Sequence, residues 1–336
     1  MKLIEHQYIE RSTQKIKNER LLFDKTINFL YSSSKEESNR FFNALTNRRM
    51  SSLLGFLHYD SNPILRKKSI LKYTDKIGID ISECIDPPEF FTSKRKIFER
   101  KIKYWETRPM SDNPCEIVSP ADAKAIVGSF DETSIVFIKE KFFHFDELLG
   151  EDKTAWLEAF YKGNFAIFRL TPEKYHYNHT PVSGKVIDVY EIEGQFHSCN
   201  PSAVISVVTP YSKNKRVITI IDTDVENGSN VGLVAMIEIV ALMIGDIVQC
   251  YSEFKYDSPV NVALGLFLKK GQPKSLYRPG SSTDVLIFQK DRIKFSNDLL
   301  ANRLRHDVKS RFSIGFSTPL VETDLKLRAT IGKAIK

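Results

Sequence analysis

Beyond Pro109 the chain breaks into short β-type runs divided by turn residues, with no long helical stretch between them. The runs are Ala125–Phe130, Ser134–Ile138, Phe165–Leu170, Val186–Ile192, Val204–Val208 and Val217–Asp222, followed by Leu233–Val240, Val262–Leu268 and Val285–Phe288. Turns such as Ser183-Gly184 and Asn227-Gly228 punctuate them. Parallel neighbours need a crossover of a dozen or more residues, so strands this close are expected to pair mainly antiparallel. Upstream of Pro109 the pattern is helical. Ser12 is a candidate N-cap, and Ile16, Phe23, Ile27 and Leu30 recur on one helical face. A polar break over 33–39 precedes a second helical pattern over 40–57. The expected fold class is α+β: a helical region over 1–108, then a largely antiparallel β domain over 109–336.

Charge and cysteine content narrow the setting. Lys and Arg number 49 against 42 Asp and Glu, and the resulting +7 is spread along the chain, so nothing argues for a nucleic-acid partner. Cys84, Cys115, Cys199 and Cys250 lie far apart, which suggests neither a zinc ribbon nor a disulfide framework. The first dozen residues are charged and lack the apolar core of a signal peptide. The most apolar stretch, 231–248, is interrupted by Glu238 and Asp246 and reads as a pair of core strands rather than a membrane span. A cytoplasmic protein is expected, with peripheral membrane association open.

That association is suggested by residues 92–108, which read as one basic amphipathic helix. Ile97, Phe98, Ile102 and Trp105 share one face, and Arg95, Lys96, Arg100 and Lys103 share the other. Such a helix suits an anionic membrane surface, where each nearby basic residue contributes about 1 kcal/mol. It equally suits a solvated helix packed on the neighbouring domain.

Three stretches carry chemistry. Arg169 through Gly184 places His176 and His179 three apart in a Pro-flanked turn after a strand. On spacing alone they read as satisfied structural histidines, or as two metal ligands lacking a local third, with His197 and Cys199 the nearest candidates. Asp122 follows Pro120-Ala121 in a turn just before a strand, and Gly280-Ser281-Ser282 lies between two strand-like runs. Each alone is an ordinary turn.

Their order along the chain resembles the pyruvoyl-dependent phosphatidylserine decarboxylases. That family shows a Pro-x-Asp-Gly turn, then R-L-x-P-x-x-Y-H-x-x-H-x-P-x-x-G, an Asn-Pro segment, and a Gly-Ser-Thr or Gly-Ser-Ser self-cleavage site. Here Pro120-Ala121-Asp122, Arg169–Gly184, Asn200-Pro201 and Gly280-Ser281-Ser282 occur in that order. The resemblance spans roughly 85–336, including Glu89-Phe90-Phe91 and Arg108-Pro109. Two departures stand out. Ala123 replaces the glycine after the acid, and Pro273-Lys274-Ser275 replaces an acidic-Leu-Gly segment.

The implied chemistry is coherent. A general acid–base pair contributes about 10²–10⁴-fold, well short of the 8–23 kcal/mol enzymes typically supply, so decarboxylation of an amino acid needs an electron sink. The resemblance implies that the chain makes one from a serine, leaving a pyruvoyl group at a new N-terminus. It also implies His179 as the base that activates the serine, Asp122 as the residue orienting His179, and His176 with Tyr175 facing the substrate. No metal is implied. The Gly280–Ser281 bond is the expected cleavage site, because glycine lacks a Cβ and leaves its carbonyl open to attack. Counting back from Leu286-Ile287-Phe288 makes Ser282 the alternative. The implied partners are a phospholipid at an anionic membrane surface and the chain's own two fragments, held as a heterodimer and paired again as a dimer. A same-family decarboxylase of a free, for instance aromatic, amino acid and an unprocessed non-catalytic relative are the other readings.

Overall fold

The computed structural model describes residues 5–21, 67–131, 142–207, 209–242, 246–280 and 282–335, with Asp24, Ile27, Tyr31, Gly55, Tyr59 and Asp60 between the first two stretches. In chain order the strands are β1 (Gln7–Glu10), β2 (Lys15–Asn18), β3 (Glu116–Val118), β4 (Ala123–Ser129), β5 (Asn164–Leu170) and β6 (Tyr177–His179). Next come β7 (Gly184–Ile192), β8 (Arg216–Asp222), β9 (Leu233–Val240), β10 (Ile247–Gln249), β11 (Phe267–Leu268) and β12 (Pro273–Tyr277). Last are β13 (Ser282–Phe288), β14 (Ile293–Phe295), β15 (Thr323–Leu325) and β16 (Thr330–Ala334).

One sheet runs β11-β7-β8-β9-β13-β5-β4-β15-β1-β2, and two smaller sheets run β10-β12-β6 and β14-β16-β3. Strand pairs are antiparallel except β1 with β15. The fold is α+β, as the spacing of the β-type runs predicts. Its central strands read as continuous apolar runs because both faces are covered. From β13, Leu286 and Phe288 enter one core with Phe168, Val186 and Met236. Val285 and Ile287 enter the other with Phe165, Ile218 and Phe312. Burying a side chain of this size stabilises by roughly 1.5–3 kcal/mol, so β13 is held by both cores at once.

Four expectations fail locally. The helix starting at Ser12 is instead the β1–β2 hairpin, in which Ile9 faces Ile16 and Gln14 has φ 55°. Tertiary pairing of Ile9 with Thr323 of β15 overrides helical propensity there. Asp24, Ile27 and Tyr31 are helical, while Phe23, Leu30, the break at 33–39, all of 40–57 except helical Gly55, and the run Ser134–Ile138 lie outside the described residues. In the β-type run expected at 204–208, residues 204–206 belong to helix α4 (Pro201–Ser206) and Val208 lies outside the described residues. The helix starts because the Asn200 side chain accepts from the Ser202 N–H at 2.9 Å and Pro201 occupies the first turn. The run Val262–Leu268 contributes only β11.

The helix expected over 92–108 is two short ones, α2 (Lys94–Phe98) and α3 (Tyr104–Thr107); α1 (Lys67–Ile77) precedes them. The break arises because the 101–103 backbone pairs with 83–85: Ile85 N–H donates to Lys101 O and Lys103 N–H to Glu83 O. Ile97, Phe98 and Ile102 are buried inside the protein and Trp105 is half-buried, so most of the expected apolar face packs on neighbouring elements. Among the described residues no helix is long and apolar enough to cross one.

Gly184, the last residue of the long histidine-bearing motif, opens β7 where a Cβ would lie 2.5 Å from Asp222 O and 2.7 Å from Ile221 Cγ2. Gly184→Ala therefore overpacks a sheet backbone that has no room to yield, and is expected to cost about 1–3 kcal/mol. A lowered unfolding midpoint in denaturant checks this.

Candidate active site

The turn Ser119–Asp122 is built around Ser119, whose hydroxyl donates to Ala121 O at 2.7 Å. The His179 N–H donates to Pro120 O at 2.8 Å and so lays β6 beside this turn. The Asp122 carboxylate is gripped at both oxygens. Arg108 donates from Nε to Oδ1 at 2.9 Å and from Nη2 to Oδ2 at 2.7 Å, and Leu327 N–H adds a bond to Oδ1 at 2.7 Å. Arg108 also forks onto Glu83. Burial alone would raise the Asp122 pKa, but the Arg108 bonds and charge hold it well below the usual carboxylate range. Asp122 is thus a fixed negative charge.

His179 lies fully buried next to it. Its Nδ1 is 2.9 Å from Gly271 O, an atom that only accepts, so Nδ1 carries the proton and Nε2 is the open acceptor. Gly271 sits at φ 75°, a conformation glycine adopts freely. The Tyr175 hydroxyl is 3.1 Å from Nε2 and 2.6 Å from the Tyr256 hydroxyl, which bonds both backbone groups of Ile102. Burial pushes the His179 pKa down to about 3, against the opposing bond to Gly271. The ring is neutral near pH 7. Asp122 makes no direct hydrogen bond to it, contrary to the expected orienting role: Gly271 orients the ring, and Asp122 acts on it only through its charge.

His176 and His179 are brought to different places. They lie on or beside β6, a strand rather than the expected turn, and side chains three apart on a strand point to opposite faces. They therefore do not form a metal pair. His179 faces the tyrosine cluster with Tyr175 and Tyr177. The His176 ring stacks on Phe98 of α2 at 3.6 Å, is fully buried, and has no hydrogen-bond partner on either nitrogen. Burial, then the nearby Arg100 charge, hold its pKa well below the ordinary histidine value. Its backbone carbonyl accepts from Tyr277 N–H, which places it at the end of β12 that leads into the Gly280 turn.

Gly280 adopts φ 142°. Ser282 opens β13 between Leu170 and Val240, and its buried Oγ has no partner. Ser281 lies outside the described residues. Gly280 forms part of the wall of a cavity of about 90 Å³, with Leu170, the Ser198–Asn200 segment, Tyr59, Tyr73 and Phe98 around it and Arg20 and Lys94 contributing positive charge. Cys199, whose sequence context leaves pocket lining and packing equally open, is both buried and on this wall. A second buried cluster, His6, Glu19 and Glu322, has ligand-like spacing, but Arg169 already forks onto both carboxylates.

The phosphatidylserine decarboxylase family profile matches residues 95–311. The chain is 30% identical to the phosphatidylserine decarboxylase proenzyme of Ruminiclostridium cellulolyticum over 88% of this chain and 91% of that one. The chain belongs to the phosphatidylserine decarboxylase family. It is also 29% identical to the proenzyme of Fusobacterium nucleatum, covering 92% of this chain and 95% of the relative. With phosphatidylserine decarboxylase proenzyme 2 of Oryza sativa subsp. japonica it shares 34% over 74% of this chain and 38% of that longer one.

Within this family, the Ala123 departure is absorbed: its Cβ packs fully buried in the core where β4 meets β15. Sequence reasoning overlooked Gly271, Tyr256 and Tyr277, and took Arg108 only as part of an Arg-Pro pair. The partners of the first two are distant in sequence, and nothing local marks them.

His176, His179 and His197, three buried histidines whose burial pushes their pKa down, set the acid response. Each has a folded pKa below its ordinary 6.5, so the stability it contributes is present above pH 6.5 and lost as pH falls. Asp122, with a depressed pKa, adds a further loss only below the usual carboxylate range. The melting temperature is expected to be flat above pH 7 and to fall from 6.5 towards 3. His179→Gln should flatten the upper part of that fall, which thermal melts across pH would show.

Proposed function

We propose that this chain is a self-processing carboxy-lyase that converts phosphatidylserine to phosphatidylethanolamine and carbon dioxide. Its electron sink is a pyruvoyl group made from a serine of the Gly280–Ser282 turn. The observation that carries this reading is where the unpartnered buried polar atoms gather. Both ring nitrogens of His176, whose carbonyl holds Tyr277 N–H, and Ser282 Oγ and Asp284 Oδ2 on one face of β13 lie on or beside the two strands that flank this turn, with other such atoms scattered elsewhere. Buried polar groups are nearly always bonded, so a cluster of exceptions marks a site awaiting chemistry.

These residues fit the group. Two bonds can open, Gly280–Ser281 and Ser281–Ser282. Strand alternation puts Ser282 on the same face as Asp284, whose carboxyl bonds Tyr277 of β12. That face meets the small sheet bearing His176, so Ser282 becomes the favoured nucleophile; the Gly280 backbone supports Ser281 as the other register. By the family resemblance His179 takes the serine proton at Nε2, although here that atom faces Tyr175 and it is His176 that lies at the turn end of β12. The fixed charge of Asp122 then stabilises the imidazolium. A pyruvoyl carbonyl supplies the sink for the electron pair left when carbon dioxide departs. His176, behind Phe98 on the cavity wall, holds the substrate carboxylate or returns the proton to the α-carbon. Arg20 and Lys94 meet the anionic headgroup of a phospholipid presented at a membrane surface, and the two fragments stay together as a heterodimer.

Intact mass of freshly purified protein tests the processing. Two fragments are expected, the smaller starting at residue 282 or 281 and lighter by one ammonia than a serine terminus. A single uncut chain rejects the reading. The processed protein should release carbon dioxide from phosphatidylserine vesicles and not from free aromatic amino acids; the reverse result selects the free-amino-acid enzyme.

The histidines should separate. His179→Asn is expected to leave the chain uncut. His176→Asn should cut yet lose about 10²–10⁴-fold in decarboxylation, the usual contribution of a positioned acid or base. Gel analysis paired with a carbon dioxide assay distinguishes them.

A further inference from the structure

We propose that Tyr277 is a positioning residue for self-cleavage, its hydroxyl stapling the strand before the scissile turn to the strand after it. The inference rests on the self-processing reading above and holds in either cleavage register. Tyr277 is the last residue of β12 and fully buried. Its hydroxyl accepts from Ile239 N–H at 3.1 Å and lies 3.0 Å from Thr283 O and 2.7 Å from Asp284 Oδ1. Only Arg278–Ser282 lie between the two ends of the staple, so both candidate bonds fall inside the loop it closes.

The proton inventory around the hydroxyl closes in one way. Tyr277 has a single proton and two apparent acceptors. Asp284 is fully buried, lies directly across the ladder from Glu238 of β9, and has no cation of its own. Glu238 holds the nearby Lys274 at 2.8 Å. Two adjacent buried carboxyls with one cation retain a proton, and burial followed by the Glu238 charge raises the Asp284 pKa well above the carboxylate range. Neutral Asp284 then donates to Tyr277, Tyr277 donates to Thr283 O, and Ile239 N–H fills the remaining site.

The staple has a defined job. In the first step the serine Oγ bonds to the preceding carbonyl carbon, the C–N bond breaks, and the hydroxyl proton ends on the released amine, turning amide into ester. Attack requires Oγ to stay against that carbonyl, and holding reacting atoms in place is among the largest rate effects available. Pinning Thr283 and Asp284 to the end of β12 keeps the turn closed, with Gly280 at φ 142° taking up the bend.

The test follows conversion of newly made full-length chain to fragments, with and without hydroxylamine, which cuts the ester once it has formed. Tyr277→Phe removes one oxygen and is expected to slow cleavage about tenfold or more, and hydroxylamine should not restore the rate, because the acyl shift itself is slow. Asp284→Asn can present its Nδ2–H in place of the carboxyl proton as donor to Tyr277 and should cleave within about twofold of wild type, whereas Asp284→Val should match Tyr277→Phe. Wild-type rate in Tyr277→Phe, or its full recovery with hydroxylamine, overturns the staple. If Tyr277→Phe fails to fold by circular dichroism, the Asp284 pair decides: equal rates for Asn and Val overturn it. A wild-type chain that stays uncut removes the self-processing reading itself.

Discussion

The position of β13 is the constraint on which the site depends. Every residue of this strand pairs with β5 on one side and β9 on the other, and its side chains alternate between the two main cores. A chain opened just before it would leave a new terminus at the end of the most firmly held strand. An edge strand with a free end would fray, since local opening costs little where few contacts hold the backbone. Cutting here would change covalent connectivity without releasing structure, so a group formed at the terminus would stay held at the end of β13.

Around this strand three cations hold five carboxylates. Arg108 holds Asp122 and Glu83; Arg169 holds Glu19 and Glu322; Lys274 holds Glu238. Removing one partner from such a pair typically costs about 3–5 kcal/mol, because the other charge is left alone in the interior. His6 completes the second group: its Nδ1 accepts from Arg311 N–H, and its Nε2 lies 2.8 Å from Glu322. Against these held carboxylates, the bare nitrogens of His176 and the bare hydroxyl of Ser282 are among the few buried polar atoms left without a partner. Their proximity to one turn gives that turn its functional weight.

Much of this was legible in residue order, and the failures have identifiable causes. β5, β8 and β9 follow from runs of β-branched and aromatic residues, because burial on both faces removes any need for polar alternation. Val204 and Ile205 mislead for the same reason: their propensity suggests a strand, but Asn200 and Pro201 are start signals for a helix and prevail. The 92–108 segment has helical periodicity, yet backbone pairing of 101–103 with 83–85 interrupts it. Asp122, His176, His179 and the serine turn stand out because their motifs are local and ordered. The groups that orient them do not. Gly271 lies 92 residues from His179, and Tyr256 lies 81 from Tyr175, separations that only the folded sheet can close.

The departures from the family pattern bear on whether the site is intact. Lys274 and Ser275 do not leave a gap where an acidic-Leu-Gly segment would stand. Lys274 Nζ bonds Glu238 and Gln249 at 2.8 and 2.9 Å, Gln249 returns a bond to Glu238, and Asn178 of β6 bonds both Glu238 and Ser275. This network joins β6, β9, β10 and β12, and thereby fastens the strand beside His176 to the strand flanking Ser282. An apolar filling of the same volume could be equally stable, but it would not distinguish one strand register from the next. Here β6 meets β12 across an irregularity between Pro273 and Ser275, where a slip of one residue would turn the histidines to the wrong faces. A polar lock at that place is what a working site requires, so the altered residues argue for a maintained geometry rather than a decayed one.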